Sequence, residues 1–537
     1  MKWKNENIAY LIALPAIILA FIFKLFPLAG AFKLPFLDYK TNSGIRGSNY
    51  IGLKNFSNLF SAYYFRRLVS NTFILKIGFV FVSGIIALIL GIALSYIKER
   101  WLRDIFIIIF TIPFFIPIVV FSYIVLLVFK SHPSLFLPFK EVLLNPERFR
   151  LMYIILESLR TSGILSIIVF YFIKANRRKE NTSKETAFKA IVLFLFIQLS
   201  SIMTVNFEML NEFINPLVYN AAGTLDTFIF ESGIISGDVN QAASIWFLRF
   251  IIQLPITIGV YYIIKSAYYE EFIERKELKY DVEPSDKIVF SVAEEGKVEY
   301  NESSRLWSVI ICLIYASIFM IPIISIFSID GGVDNYRLPN MDIFTSFIKY
   351  IFITSIATIL NLVITVLLAY PLSTSHSKKK TIYEIFLLIL LVAGQGGVHE
   401  YIYFEKLGLI NTIYPYILNG FFSVMNIFVL GSIYMSQYKF SNFREYLYRI
   451  WKPAIALAGF QFIAMWNSYY PSQILYLNNP EFFSPVMIFK NIVMDMQTDF
   501  NASLLTLGFL VSLPSIVIGI AICLFADNRV FISRIRD

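Results

Sequence analysis

Residues 72–97 read TFILKIGFVFVSGIIALILGIALSYI, an apolar stretch that contains a single charged side chain, Lys76. A helix needs about 20 consecutive apolar residues to cross the hydrocarbon core of a bilayer. The stretch exceeds that length and is followed directly by Lys98, Glu99 and Arg100. It therefore predicts a membrane-spanning helix that ends at a charged boundary.

The composition extends this interpretation to the whole chain. Its 537 residues are 57% hydrophobic and 15% charged, with 54 Phe, 32 Tyr and 6 Trp. Soluble domains carry about 25% charged residues, whereas aromatic rings at this frequency suit lipid-facing surfaces and interfacial belts. The composition predicts a polytopic membrane protein and excludes disordered, collagen and coiled-coil classes.

Twelve apolar stretches predict about twelve transmembrane helices. The first begins at Ile8 and is followed by no small-residue cleavage site, so we interpret it as a span and not as a signal peptide. Gly396-Gly397 interrupts the ninth stretch, and Asn467-Ser468 lies within the eleventh. The predicted spans lie near 8–27, 72–97, 105–129, 151–173, 187–205, 242–265, 306–328, 351–373, 382–402, 413–435, 453–475 and 503–525.

Loop charges predict the orientation of these spans. Clusters of Lys and Arg follow the second, fourth and eighth spans, while loop 206–241 carries acidic residues and no Lys or Arg. The positive-inside rule then places both termini in the cytoplasm. Loop 28–70, with six basic residues facing outward, departs from the rule. Because the formal charge of +9 is spread over short loops, we expect no nucleic-acid partner.

A polar stretch divides the spans six and six. We predict a first domain at 1–265, a cytoplasmic linker at 266–305 and a second domain at 306–537. The second span of each half ends in a similar turn, ALSY at 93–96 and AYPLS at 369–373, followed by basic residues. Two six-helix halves that both start inside form a parallel repeat, and such repeats place the substrate path between the halves near the bilayer midplane.

The sequence contains no pattern for catalysis or metal binding. None of His132, His376 and His399 pairs with a second His or Cys at ligand spacing, and Cys312 and Cys523 both lie in apolar runs. No phosphate-binding loop ending in Gly-Lys-Ser/Thr is present. We expect no enzyme, no metal site and no cofactor in this chain; ATP and Mg would belong to a partner ATPase.

Charges inside spans cost about 2.5–3.5 kcal/mol each on insertion scales, so each needs a physical reason. Glu157 and Arg160 are three residues apart on one helical face, and we expect them to neutralise each other. Lys76, Arg249 and Glu384 lie near span ends, where we expect them to reach towards the membrane surface.

Two polar segments interrupt otherwise apolar helices, VNFE at 205–208 and WNSYY at 466–470. Rings beside amide and carboxylate groups suit a sugar, whose CH faces stack on the rings while its hydroxyls form hydrogen bonds. The alternative is polar contact between helices and an interfacial aromatic belt. The candidate residues of the substrate path are Asn206, Phe207, Glu208, Trp466, Asn467 and Tyr469.

Several segments, taken in their order and spacing over nearly the whole chain, resemble one known family. They are YIGLKNF at 50–56, VNFE at 205–208, NPLVY at 215–219, LAYPLS at 368–373, LGLINT at 407–412 and WNS at 466–468. The family is the inner-membrane permeases of ATP-binding-cassette (ABC) sugar importers, specifically the oligosaccharide and polysaccharide branch of the maltose-type group. The first half resembles one permease and the second half its usual partner, fused.

The resemblance implies a type I importer permease fold, also called MetI-like, in a bacterial plasma membrane. It implies an extracellular or periplasmic solute-binding protein as one partner and a cytoplasmic ATPase dimer as another. It also implies a coupling motif that begins Glu-Ala-Ala, located in the cytoplasmic loop before the fifth span of each half, which docks on the ATPase.

The sequence departs from the family at these coupling loops. They read KANRRKENTSKE at 174–185 and SQYKFSNFREYL at 436–447, and neither contains the motif. One hypothesis is a permease component of an oligosaccharide importer that keeps a minimal ATPase contact. The alternative is an ATPase-uncoupled receptor or scaffold, derived from a permease, that engages an extracellular binding-protein-like partner. The residues of the degenerate loops are Arg177, Arg178, Lys179, Phe443, Arg444 and Tyr448.

Overall fold

The structure, a computed structural model, describes residues 2–131, 143–176, 183–273, 302–327, 343–374, 378–394, 398–435, 442–470, 479–495 and 502–525. These residues are almost entirely helical, as the sequence predicts. The one sheet among them is a two-stranded antiparallel ribbon of Leu37–Asp38 and Asn49–Tyr50. Most of the predicted linker, 274–301, lies outside the described residues, so the domain boundaries stay a prediction.

The helices are numbered here in chain order. They are α1 Lys2–Ala20, α2 Phe26–Ala31, α3 Gly44–Gly47, α4 Lys54–Ser61, α5 Tyr63–Tyr96, α6 Arg100–Phe115, α7 Ile118–Ser131, α8 Pro146–Asn176, α9 Ser183–Leu199, α10 Phe207–Phe213, α11 Tyr219–Ala222, α12 Leu225–Phe230, α13 Val239–Ile273, α14 Glu302–Phe327, α15 Ile343–Thr374, α16 Lys378–Ala393, α17 Val398–Lys406, α18 Tyr414–Gly420, α19 Val424–Met435, α20 Phe443–Asn467, α21 Pro485–Asp495 and α22 Ala502–Phe525. Phe21–Leu25 and Glu231–Ile235 are π-helical, and Leu34–Phe36 and Pro480–Phe482 form short 3₁₀ turns.

Within the described residues, eight helical segments are long and apolar enough to cross a membrane, and ten if each of two bent helix pairs counts as one span. The multi-pass fold is therefore confirmed, whereas the count of twelve is not. The fifth predicted span forms only a short apolar helix, Ala187–Leu199. Residues 453–467 of the eleventh predicted span belong to α20, where the polar side chains of Gln461 and Asn467 interrupt the apolar stretch, and residues 471–475 of that span lie outside the described part.

The two bent pairs occur at corresponding places in the two halves. The α6/α7 pair follows α5 and is bent by 99°, and the α16/α17 pair follows α15 and is bent by 92°. In the first pair Ile116 adopts an extended conformation directly before Pro117, because a proline disfavours helical geometry in the residue that precedes it. The second bend crosses residues 395–397, which lie outside the described part. The shared arrangement supports the predicted parallel repeat.

The first helix of each half packs on the second span of the other half. Helix α1 lies against α15, and α14 lies against α5. Ala9, Ala16 and Ala20 of α1 are buried in this contact, because small side chains let helices approach closely in a membrane. Next to this contact, the Nζ atom of Lys24 forms an ion pair with the Oε1 atom of Glu400 at 2.9 Å. The two halves of the sequence are therefore interlocked in space.

A close helix crossing in the first half depends on Gly163 of α8. A Cβ atom at this position would lie 1.9 Å from the carbonyl oxygen of Phe110 in α6, a backbone atom that cannot move aside. We expect Gly163→Ala to separate α6 from α8 and to destabilise the protein by about 1–3 kcal/mol through overpacking. The thermal unfolding temperature in detergent checks this.

Gly259→Ala is the matched control, because nothing lies within 4 Å of a Cβ atom built on Gly259. It should leave the unfolding temperature nearly unchanged. Equal effects of the two substitutions would contradict the crossing described here.

Candidate functional site

The two polar segments singled out from the sequence meet between the halves. We call their meeting point the cross-half cluster, formed by Glu208, Asn211 and Glu212 of α10, Ser468, Tyr469 and Tyr470 after α20, and Lys490 of α21. Helix α10 starts at a defined cap, since the Oδ1 atom of Asn206 accepts a hydrogen bond from the backbone N–H of Met209 at 3.2 Å. Residues four apart share a helix face, so Glu208 and Glu212 both point to the second half.

Each polar group of α10 in this cluster has a partner from the second half. A carboxylate oxygen of Glu208 accepts hydrogen bonds from the Ser468 hydroxyl and, at 2.9 Å, from the backbone N–H of Tyr470. The amide of Asn211 donates to the Tyr469 hydroxyl at 3.1 Å.

Lys490 completes the cluster with a charge. Its ammonium group forms an ion pair with Glu212 and lies 4.0 Å from the centroid of the Tyr469 ring. Only 5% of the Lys490 side chain and 10% of the Glu212 side chain are exposed. A buried ion pair of this kind fixes the register of the two halves, because either charge alone would be costly.

Aromatic rings border the cluster on one side. The Phe207 ring centroid lies 5.0 Å from the centroids of both Phe230 and Tyr470. Phe207, Glu208, Ser468 and Tyr470 are half-buried. The arrangement joins ring faces to a carboxylate, hydroxyls and an amide, which is the chemistry that carbohydrate binding uses.

Three of the six candidate path residues lie together in the structure, and the other three form contacts outside the cluster. Phe207, Glu208 and Tyr469 lie in or against the cross-half cluster. The amide of Asn206 instead donates to Glu157 at 2.8 Å, within the first half. That these residues line a substrate path stays a prediction.

Trp466 and Asn467 form a second contact next to the cluster. The indole N–H of Trp466 donates to the carbonyl of Val511 at 2.8 Å. The amide of Asn467 donates to the carbonyl of Phe115 at 2.9 Å, where α6 of the first half ends. The Asn467 amide oxygen is buried and has no hydrogen-bond partner in the structure.

The candidate residues of the second coupling loop, Phe443, Arg444 and Tyr448, lie at the start of α20. Asn442 caps the helix by accepting from the backbone N–H of Glu445 at 2.9 Å. Phe443 packs its ring against Tyr370, with centroids 4.9 Å apart, while Arg444 and Tyr448 are exposed. The start of α20 is therefore amphipathic. Arg177, Arg178 and Lys179 lie outside the described residues.

Glu157 and Arg160 are both buried and interact electrostatically, as expected, although no direct ion pair joins them. The Arg160 guanidinium donates instead to the carbonyls of Phe114 and Ile116, each at 3.3 Å. Those carbonyls stand at the C-terminal end of α6, where the helix cannot satisfy them and a cation is favourable.

The three charges expected to reach towards the membrane surface are also held inside. Lys76 donates to the side chains of Gln198 and Ser201, at 2.9 and 3.0 Å. Arg249 pairs with Asp226, and Glu384, fully buried, accepts from Lys265 at 2.8 Å. Tertiary partners therefore outcompete the surface for these groups.

Sequence reasoning did not select Glu212 and Lys490, although a signal existed. Glu212 repeats Glu208 at the i+4 position, and Lys490 is the one cation in the stretch PVMIFKNIVMD of α21. Among the described residues, no group of three or more His, Cys, Asp or Glu is placed to hold a metal ion. His399 instead lies against the Trp246 ring, with centroids 4.6 Å apart.

Comparison with known proteins identifies the relatives of this chain. No protein-family model matches it. Over 269 residues it is 24% identical to the polygalacturonan/rhamnogalacturonan transport system permease protein YteP of Bacillus subtilis (strain 168), a match that covers 46% of this chain and 84% of that protein. The chain is a relative of a carbohydrate transport permease. The resemblance to sugar-importer permeases noted from the sequence is thereby confirmed.

Two solved structures overlay partially on the permease-like chain. One is a bacterial ABC transporter involved in the import of the acidic polysaccharide alginate, with a TM-score of 0.41, 21% identity, and coverage of 49% of this chain and 96% of that chain. The other is an alginate ABC transporter in complex with an alginate pentasaccharide-bound periplasmic protein, with a TM-score of 0.42, 20% identity, and coverage of 49% and 95%. Because both overlays are loose, the functional inference rests on the sequence relative.

The Glu212–Lys490 pair gives a prediction about stability. Lys490→Met leaves the Glu212 carboxylate buried without a cation, so we expect a loss of about 3–5 kcal/mol. The double variant Glu212→Gln/Lys490→Met should recover most of that loss. Thermal unfolding in detergent measures both.

Asp104→Asn serves as the control for this pair, because Asp104 and Arg100 form an exposed ion pair at 3.5 Å. We expect it to cost less than about 1 kcal/mol. A loss for Lys490→Met as small as that of Asp104→Asn would show that the cross-half ion pair does not hold the halves.

Asn467→Leu separates a structural role from a role in the path. The substitution leaves the buried Phe115 carbonyl without its donor, so we expect a loss of stability of about 1–3 kcal/mol. Unfolding temperature and uptake should fall together. Unchanged stability with abolished uptake would instead assign Asn467 to the path.

Proposed function

We propose that this chain is the transmembrane permease component of a binding-protein-dependent ABC-type importer for oligosaccharides or related carbohydrates. The observation that carries the proposal is the similarity to YteP, a polygalacturonan/rhamnogalacturonan permease, over 84% of that protein. The match covers 46% of this chain, which is the proportion expected if one half corresponds to one permease.

The proposal includes partners and a location. A solute-binding protein delivers the substrate on the outer side, and a cytoplasmic ATPase dimer binds ATP and Mg and hydrolyses the nucleotide. The chain itself is a transport subunit without enzymatic activity. It lies in the bacterial plasma membrane with both termini in the cytoplasm, as the loop charges favour.

The cross-half cluster suggests how the path opens. Glu208, Asn211 and Glu212 are satisfied by partners of the second half, so the cluster is a closed state. A sugar that enters must replace these hydrogen bonds with its own hydroxyls, and the Phe207 and Tyr470 rings offer faces for its CH groups. When α10 separates from α20 and α21, the polar groups of α10 lose their partners in the second half. The hydroxyls of the substrate then take the place of those partners.

The receptor or scaffold alternative arose from the missing coupling motif. The similarity to a transport permease favours transport over that alternative. A basic and aromatic surface at the start of α20, with Arg444 and Tyr448 exposed, offers the minimal contact with an ATPase that transport requires.

Uptake measurements test the proposal. A strain that lacks the gene should fail to take up labelled oligogalacturonides or related oligosaccharides, and the wild-type gene should restore uptake. Glu208→Gln removes the charged acceptor that the hydroxyls of an entering sugar would use once the cluster opens, so we expect roughly tenfold slower uptake at unchanged protein abundance. Glu481→Gln, an exposed carboxylate outside the cluster, is the control and should transport normally.

Affinity purification of the tagged chain from native membranes distinguishes transport from the alternative. A stoichiometric ATPase in the purified complex is the expected result. Recovery of an extracellular partner without any ATPase, together with normal carbohydrate uptake in the deletion strain, would overturn the proposal in favour of a receptor or scaffold.

A further inference from the structure

Four large apolar side chains are exposed on the predicted outer side of the chain. They belong to the segment that leads into the span α5, and they are Tyr50, Leu53, Phe60 and Tyr63, each between 61% and 83% exposed. We call these four residues the outer apolar edge. A run of exposed apolar side chains in one segment indicates a surface that a partner or a lipid phase covers.

Helix α4, from which part of this edge projects, is held firmly by tertiary contacts. The amide of Asn55 donates to the carbonyls of Pro35 and Leu37, both at 2.9 Å. The Phe56 ring lies 5.8 Å from the ring of Phe247 in α13, measured between centroids. The position of the outer apolar edge is therefore fixed relative to the membrane helices.

The contact with α13 indicates the level of α4 in the bilayer. Phe247 lies five residues inside the outer end of the sixth predicted span, 242–265. Five residues of helix advance about 7 Å at a rise of about 1.5 Å per residue. Four residues further along α13, Ile251 is exposed on the apolar surface of the span. Helix α4 therefore lies near the boundary between head groups and hydrocarbon.

The exposed side of α5 gives the direction of the lipid. Ile74, Ile77 and Phe81 are exposed at spacings of three and four residues, so they share one side of the helix. Tyr63 and Arg66 lie on the same side, nearer the start of the helix, and are also exposed. The lipid-facing side of α5 therefore begins with residue types that anchor helices at a membrane surface.

The charge of this segment suits the phosphates of lipid head groups. Residues 50–67 include Lys54, Arg66 and Arg67 and no Asp or Glu. Lys54 and Arg66 are exposed, and neither forms an ion pair with another residue of the described part. Both belong to loop 28–70, whose outward basic residues depart from the positive-inside rule. Contact with head-group phosphates would give these charges a physical reason.

We propose that the outer apolar edge and the start of α5 rest in the outer leaflet of the bilayer as an interfacial anchor. Leu53, Phe60 and Tyr63 enter the boundary between head groups and hydrocarbon, and Lys54 and Arg66 contact the phosphates of the surrounding phospholipids. Lipid is favoured over a soluble protein as the occupant, because α4 lies at the level of the bilayer and continues the lipid-facing side of α5.

Spin labels read by electron paramagnetic resonance test the proposal in the full chain, reconstituted in phospholipid nanodiscs with Cys312 and Cys523 replaced by serine. Labels are attached one at a time through Leu53→Cys and Phe60→Cys. Oxygen concentrates in hydrocarbon and a neutral nickel complex stays in water, so the oxygen-to-nickel collision ratio should be high at both positions. Asn58→Cys, at an exposed polar position of α4, is the matched control and should give a low ratio.

A second measurement tests the contact with head groups. Phosphatidylglycerol in place of phosphatidylcholine should raise the ratio of the Phe60→Cys label, because an anionic surface draws the two cations towards it. Lys54→Gln/Arg66→Gln should lose this increase. Arg444→Gln removes an exposed cation at the predicted cytoplasmic side and should keep it.

Two outcomes would overturn the proposal. Ratios at Leu53→Cys and Phe60→Cys as low as that at Asn58→Cys would show that the edge faces water, which would assign it to a soluble partner. An undiminished phosphatidylglycerol effect in the double variant would show that Lys54 and Arg66 do not contact head groups. Neither readout depends on uptake, so a failure here would leave the proposed function intact.

Discussion

The exchange of first helices between the halves is the constraint on which the rest of the structure depends. Helix α1 is packed on α15, and α14 is packed on α5, so neither half has a complete helical shell of its own. The buried alanines of α1 lie in this crossing, and the Lys24–Glu400 ion pair adds a further contact between the halves. Polar contacts between the halves can therefore break and reform while the halves remain attached, which a path through a membrane requires.

The buried charged side chains of this apolar chain form ion pairs with residues of other helices and not with residues of their own helix. Arg249 pairs with Asp226, Lys265 with Glu384, and Lys490 with Glu212. A buried ion pair adds little net stability over an apolar pair, but it penalises wrong arrangements strongly. These contacts consequently specify how the helices assemble, and two of them, Lys490–Glu212 and Lys265–Glu384, join the two halves.

Much of the fold could be predicted from the sequence, because long apolar stretches have few alternatives to membrane helices. Such stretches predict helices α5, α8 and α15 directly. The exact number of membrane-spanning helices could not be predicted. A proline break such as Ile116-Pro117 bends a helix, and the polar residues in α20 make its sequence less clearly that of a membrane span. Local spacing placed Glu157 near Arg160, but it could not reveal that Arg160 also donates to the carbonyls at the end of α6, a helix distant in sequence.

The candidate site was partly predictable for the same reason. Residues 206–208 and 466–470 stand out because polar groups in apolar surroundings need partners, and the structure shows that these partners include one another. Lys490 and Glu212 depend on a contact between residues 278 positions apart, which local pattern does not reveal. The missing coupling motif, in contrast, is a sequence observation, since residues 177–182 and 436–441 lie outside the described structure.

The most direct measurement is transport with the cross-half cluster locked. Asn211 and Tyr469, whose side chains meet at 3.1 Å, are replaced by cysteine in a chain whose two native cysteines, Cys312 and Cys523, are serine. A short bifunctional thiol reagent then joins α10 to the residues after α20. If the substrate path opens at this cluster, uptake stops on cross-linking and returns when the cross-link is cleaved. Unchanged uptake in fully cross-linked protein would show that the path lies elsewhere.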